Sequence, residues 1–332
     1  ILYNIYDTLI MRDPYSEENK FVPGLALSWE QVDVLTWEFK LRPDVKFHDG
    51  TVMTADDVAY SLNRIIQRLD ATYSGVHSTF LANFESFEVV DELTVHAHTF
   101  KPEPLIEHLL SDPNTGITSQ AHIESVGLDM ARMSPITTGP YKVKEFIPDN
   151  RIELERNDDF WGEPAPFETV TYFLIPEISS RITAIANNEV DMVTNIPPDM
   201  EEVLENEDGV HLVGVRWPLY HVYVLNMNHP TMADPKVRRA LDYAIDREAL
   251  VQSLWNGKGE AASSLQFPEY GEPLYMPDIQ NIDFDMEKAK QWIAESDYNG
   301  EEIEIYNTIN YYTYADLAAQ AVIEMWKEIG VN

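Results

Sequence analysis

The sequence predicts an α/β protein built from more than one domain. Three observations lead there. Runs with the two-residue period of strands are interleaved with runs of helical spacing. No segment repeats at a fixed period, and mixed strands and helices without a repeat are the pattern of the α/β class. The chain has 332 residues, enough to bury more than one core.

In order along the chain, Trp37, Phe39 and Leu41 alternate with Thr36, Glu38 and Lys40, the period of a half-buried strand. Arg42-Pro43 ends it and Asp49-Gly50 supplies a turn. Thr54 occupies an N-cap position before a helix over 55–69, with Asp56 and Asp57 in the turn where the helix dipole favours acids. Val58, Leu62, Ile65, Ile66 and Leu69 form its apolar stripe. Strand patterns follow at 86–90, 93–99, 141–147, 151–155 and 169–174. A helix is predicted over 179–187 and a strand over 221–225. Asp234 caps a helix over 235–245 whose first residue is Pro235, and Asp246 caps the next, over 247–256, with Gly257 as its stop. Helices over 286–296 and 314–329 enclose a strand at 302–306. The stretch 257–277, rich in Gly and Pro, reads as a loop between larger units.

Composition excludes several functions. With 57 acids against 23 bases the formal charge is −34. Nucleic-acid binding needs a basic footprint, so it is disfavoured, as is an anionic membrane surface. The acids are dispersed, which fits a surface adapted to high salt, where screening weakens self-repulsion; a generally acidic exported protein is the alternative. There is no cysteine, which removes thiolate catalysis and sulfur-based metal sites. No run of about 18 apolar residues is present to span a bilayer.

Catalytic and metal patterns are weak. There is no nucleophile elbow, phosphate loop or H-E-x-x-H pair. His96 and His98 share one face of a predicted strand, where two solvated histidines are the ordinary reading and a metal site the lesser one. Paired carboxylates are unavoidable among 57 acids, and Asp56-Asp57 and Asp158-Asp159 have local capping or turn roles. No catalytic residue, metal ligand or cofactor is assigned. The aromatic side chains point instead to a cleft that encloses an organic ligand. Candidates are Tyr73, His77 and Phe80 after the first long helix, and Trp217, Tyr220 and Tyr223; core packing competes for each. Alternation over 221–225 places His221 and Tyr223 on one face and Val222 and Val224 on the other.

Several segments, in order, carry a family resemblance. The string from Val22 to Ile66, with Phe47-His48-Asp49-Gly50 in its turn, resembles the extracytoplasmic solute-binding proteins of peptide, nickel and oligosaccharide ABC importers. So do Tyr6-Asp7-Thr8-Leu9-Ile10, Thr138-Gly139-Pro140-Tyr141, Asn157-Asp158-Asp159-Phe160-Trp161-Gly162, the stretch from Val237 to Arg247, and 285–294. One departure is Asn187-Asn188-Glu189-Val190-Asp191, where many relatives carry Gly before the acid; Asn188 tolerates the left-handed backbone such a turn needs.

The resemblance implies a periplasmic-binding-protein-like two-lobe fold (class II, type C) with an inserted satellite subdomain and an incomplete second lobe. Residues 1–27 and 166–262 would form the first lobe's core, 28–165 the satellite, and 263–332 the hinge crossover and partial second lobe. It further implies a chain truncated at both ends, with an export signal in the precursor and a periplasmic or cell-surface location, free or lipid-anchored. The implied function is a monomeric, non-enzymatic receptor that needs no cofactor, closes around a peptide or similar small solute and delivers it to an ABC permease. A secreted glycan-active hydrolase and a chemosensory receptor are the alternatives. In such proteins the segment before the turn at Thr138 approaches the ligand, which adds Asn114, Thr115 and Thr138 to the candidates, while Tyr141 is a packing residue. The acidic residue that pairs with a peptide's α-amino group in relatives belongs to a later part of the fold.

Overall fold

The computed structural model describes residues 1–13, 16, 20–66, 81–214, 219–262, 266–267, 275–276, 278, 283–308 and 312–332. They pack as two units, Ile1–Leu174 and Ile175–Asn332.

Among its described residues the first unit holds three antiparallel sheets. Strands β1 (Ile10–Arg12) and β2 (Phe21–Pro23) pair with each other. Strands β3 (Ala26–Asp33), β4 (Thr36–Leu41), β5 (Phe84–Asp91) and β6 (Thr94–Thr99) form a sheet in the order β3-β4-β6-β5. Strands β7 (Tyr141–Ile147), β8 (Arg151–Arg156) and β9 (Thr169–Phe173) form the third. Phe39 and Leu41 of β4, with Val95 and Ala97 of β6, turn into the main core, as their period demands. Helix Ala55–Ile66 packs on β5 and β6 and buries Val58 and Leu62 completely. Each such side chain contributes about 1.5–3 kcal/mol relative to an exposed one. Phe84 and Phe87 stack beside them with ring centroids 5.2 Å apart.

The start of this helix differs from the expected cap. The Thr54 hydroxyl does not act as the acceptor; it and the Thr54 backbone N–H both donate to Asp57 Oδ2, each at 3.0 Å, while the Thr54 carbonyl accepts the Val58 N–H at 3.4 Å. This is the reciprocal half of a capping box, and it prevails because an ionised carboxylate accepts more strongly than a hydroxyl. Asp57 Oδ1 also accepts from the Gln120 N–H at 3.0 Å, so one acid fastens the helix to the segment leading to helix Gln120–Val126.

The second unit is helical. Helix Pro235–Tyr243 packs on helix Met286–Ala294, and helix Ala315–Lys327 adds Val322 and Trp326 to the same core of Val237, Ala240, Leu241 and Ala289. The Trp326 indole N–H donates to the Leu241 carbonyl at 2.9 Å, satisfying the one polar atom that this ring buries. The caps are as expected: Asp234 accepts from the Lys236 N–H at 2.8 Å and Asp246 from the Ala249 N–H at 2.9 Å. Helix Arg247–Trp255 ends through Asn256 and Gly257, with φ of 49° and 73°. Helix Ile178–Ala186 is followed by Asn188 at φ 56°, the left-handed turn predicted for it.

Two expected strands, 221–225 and 302–306, take no regular secondary structure and join no ladder among the described residues. A strand needs a neighbour's backbone groups, and along 302–306 the Ile303 N–H bonds to the Asn332 carbonyl at 2.9 Å without a sheet forming. Residues 221–224 are all exposed, and of these the His221 and Tyr223 rings meet aromatic neighbours.

Candidate functional site

The segments singled out in the first unit converge on one stretch, residues 5–10. Gly139 donates to the Ile5 carbonyl at 3.0 Å, Ile117 to Asp7, Leu25 to Thr8 and Ala26 to Leu9. Thr138 donates from Oγ1 to Asp7 Oδ2 at 2.9 Å, and the Trp161 indole donates to the same oxygen at 2.8 Å. The Arg42 guanidinium lies over the Trp161 ring, 4.3 Å from its centroid. His48 Nε2 and Asn157 Nδ2 each lie 3.0 Å from the Gly139 carbonyl oxygen. No side chain fits at Gly139, because a Cβ there would meet the Ile5 carbonyl oxygen at 2.2 Å. Burial raises the Asp7 carboxyl above the usual carboxylate range, against the pull of its two hydrogen bonds and Arg42. Burial draws the His48 imidazole down to about 4. Buried, mutually satisfied groups of this kind hold the chain together and offer little to a solute.

The predicted site residues fall into three groups. Tyr73, His77, Phe80 and Trp217 lie outside the described residues. Asn114, Thr115 and Thr138 lie in the first unit, and of these Thr138 alone bonds to the 5–10 stretch. Asn114 Nδ2 donates to Asp112 Oδ1 at 2.7 Å and Thr115 Oγ1 to the Asp112 carbonyl at 2.7 Å, both within a 3₁₀ turn, while Thr138 is fully buried against Asp7. Tyr141 is a core residue, packed with Ile5 and Leu154. In the second unit Tyr220 stacks on Phe267 at 4.1 Å between centroids, and Tyr223 meets Trp326 edge-on at 6.0 Å. His221 meets Trp255 at 5.1 Å and Tyr312 at 6.1 Å, and Trp255 meets Tyr314 at 6.5 Å. Burial raises the Tyr223 phenol and lowers the His221 imidazole.

Tyr314 also closes one side of a groove of about 630 Å³. Its other walls are Glu177, Ile178, Ile182, Asp199, Met200 and Val203, with Pro176, Ser179, Thr183 and Pro197 completing the lining. Tyr314 donates its hydroxyl to Asp199. Burial is the first cause of its raised phenol pKa, and the bond to Asp199 the second. None of these residues was singled out in the sequence. Tyr314 and the 176–203 segment are remote in the chain, so no local pattern joins them; the Pro197-Pro198-Asp199 turn was the only available sign. A second groove, of about 410 Å³, is bordered by Asp234, Asp297 and Glu301. Asp234 there already accepts the Lys236 and Asp297 N–H groups.

No group of three His, Asp or Glu among the described residues is arranged to hold a metal. The two histidines of β6 point to opposite neighbours: His96 Nε2 lies 3.0 Å from Glu38 on β4, and His98 Nε2 lies 3.1 Å from Glu88 on β5. Each ring nitrogen thus has a carboxylate partner across a strand pair.

Residues 20–332 match the family described as bacterial extracellular solute-binding proteins, family 5 Middle. The chain is 28% identical over 341 residues to the periplasmic oligopeptide-binding protein OppA of Escherichia coli (strain K12), covering 93% of this chain and 61% of that one. To the dipeptide-binding protein of the same organism it is 26% identical over 338 residues, covering 94% and 62%. Among solved structures, PBP AgaA of A. tumefaciens R10, in complex with agropinic acid, superposes with a TM-score of 0.85 at 26% identity over 100% of this chain and 66% of that one. The chain therefore spans less than two thirds of the length of these relatives.

Proposed function

Because this chain belongs to the bacterial extracellular solute-binding proteins of family 5, we propose that the protein is the substrate-binding receptor of an ABC import system. It captures a di- or oligopeptide between two hinged lobes and passes it to a membrane permease, making and breaking no bonds. The observation that carries this reading is the family match, which runs from residue 20 to residue 332. Both curated relatives described above are peptide-binding proteins by name, which favours peptide over other solutes. In this reading residues 1–27 and 166–262 belong to the first lobe, 28–165 to the satellite, and 263–332 to the crossover and the second lobe. The groove under Tyr314 supports it, since its walls come from the 176–203 segment of one proposed lobe and from Tyr314 of the other. Tyr220 and Tyr223 remain ligand candidates, as do Tyr73, His77, Phe80 and Trp217. Thr138, Asn114 and Thr115 would act by holding their own segments in shape, given their internal hydrogen bonds. Ligand drives closure only through contacts that the open form lacks. The receptor works outside the cytoplasm, as a monomer that is free or lipid-anchored.

Native mass spectrometry of the intact protein tests the proposal. The expected spectrum shows one equivalent of peptide retained, and added peptides recovered uncleaved. Peptide hydrolysis abolished by a single carboxylate substitution, or failure to retain any solute, overturns it.

A further inference from the structure

Resting on that receptor reading, we propose that the groove under Tyr314 receives an alkylammonium group on an apolar stem, presented by a lysine side chain of the bound peptide. Among the described residues that line it, the charged groups are Glu177 and Asp199, with no Lys, Arg or His. Arg181, on the same helix, directs its guanidinium at the Thr194 and Asn195 carbonyls at 2.7 and 3.2 Å. Tyr314 holds the Asp199 carboxylate in place through its hydroxyl, and its own ring is braced by Trp255 at 6.5 Å. A positioned carboxylate beside an aromatic face is a fitting receptor for an ammonium group, through a charge-assisted hydrogen bond and cation–π attraction. Ile182, Met200 and Val203 supply an apolar wall on which the methylene stem can lie. The wider molecule adds to the selection, because 57 acids against 23 bases attract cations and repel an acidic side chain.

The experiment is calorimetric titration of the intact protein, at low salt, with Ala-Lys-Ala, Ala-norleucine-Ala, Ala-Glu-Ala and 1,5-diaminopentane. The expected order places the lysine peptide about tenfold or more above its norleucine counterpart, the range of one charge-assisted hydrogen bond. The glutamate peptide is weakest. Asp199→Asn brings the lysine and norleucine peptides close together, and Glu177→Gln narrows the gap independently of how the first variant folds. Equal binding of lysine and norleucine peptides by the wild type, or a preference that survives both substitutions, overturns the inference and leaves the receptor reading intact. Tight diaminopentane binding with no peptide binding overturns the peptide source of the amine. Binding of none of the four overturns the inference together with the peptide reading.

Discussion

At the residue scale, Asp7 and His48 set out two opposite dependences on pH. His48 titrates at about 4 in the folded chain, against 6.5 for the ordinary side chain. Between those values the unfolded chain holds the extra proton, so stability falls as pH drops from 6.5 toward 4 and the loss is complete below 4. The whole effect is about 3 kcal/mol. Asp7, raised by burial, acts the other way: above 3.8 the folded form keeps its proton longer, and stability declines as pH rises through that window. Denaturant titrations at a series of pH values should therefore show a steeper rise between pH 4 and 6.5 for the wild type than for His48→Gln. Equal slopes would mean that the imidazole is not shielded. Asp7 itself accepts both of its hydrogen bonds on one oxygen, Oδ2. An asparagine amide oxygen can do the same, so Asp7→Asn should stay within about 1 kcal/mol of the wild type, whereas Asp7→Ala, which orphans two buried donors, should lose about 2–4 kcal/mol. Urea midpoints distinguish the two. Thr138 illustrates why such roles escape sequence reading. A threonine that faces a solute and one that anchors a buried acid are written with the same letter.

At the element scale, the legible features were those with local causes. The strand at 36–41, the helices after Asp234 and Asp246, and the left-handed Asn188 each follow from neighbours a few residues away. Replacing Asp246 by Ala should cost about 1 kcal/mol, because the Ala249 N–H loses its acceptor, and the thermal midpoint should fall without a change in the circular-dichroism spectrum of the folded state. An unchanged midpoint would show that the cap is redundant. Less legible were the segments at 221–225 and 302–306. Their period is that of strands, yet a ladder is a property of two segments, and none among the described residues pairs with them. The short helix Ile106–Leu109 escaped for the opposite reason: one turn is too short to reveal a period.

At the scale of the whole molecule, charge is the dominant feature. A formal charge of −34 on 332 residues repels itself over distances that salt can shorten, from a screening length of about 10 Å at 0.1 M to about 3 Å at 1 M. The thermal midpoint should therefore rise by several degrees between 0.1 and 2 M potassium chloride, with most of the gain in the first molar. A midpoint independent of salt would leave the acidic surface without a role in adaptation. The same charge distribution bears on the groove under Tyr314, where Glu177 and Asp199 face a space that the apolar residues alone would leave indifferent to ligand charge.

The amino-acid order by itself determined the α/β class, the approximate bounds of the longer helices, and a set of motifs sufficient to identify the family. These depend on periods of two or 3.6 residues and on hydrogen bonds spanning a few positions. Only the tertiary structure decided that four of those motifs share a single buried knot around Asp7, and that Tyr314 meets Asp199 across 115 residues of chain. Such contacts arise from the packing of whole elements, which no local pattern encodes.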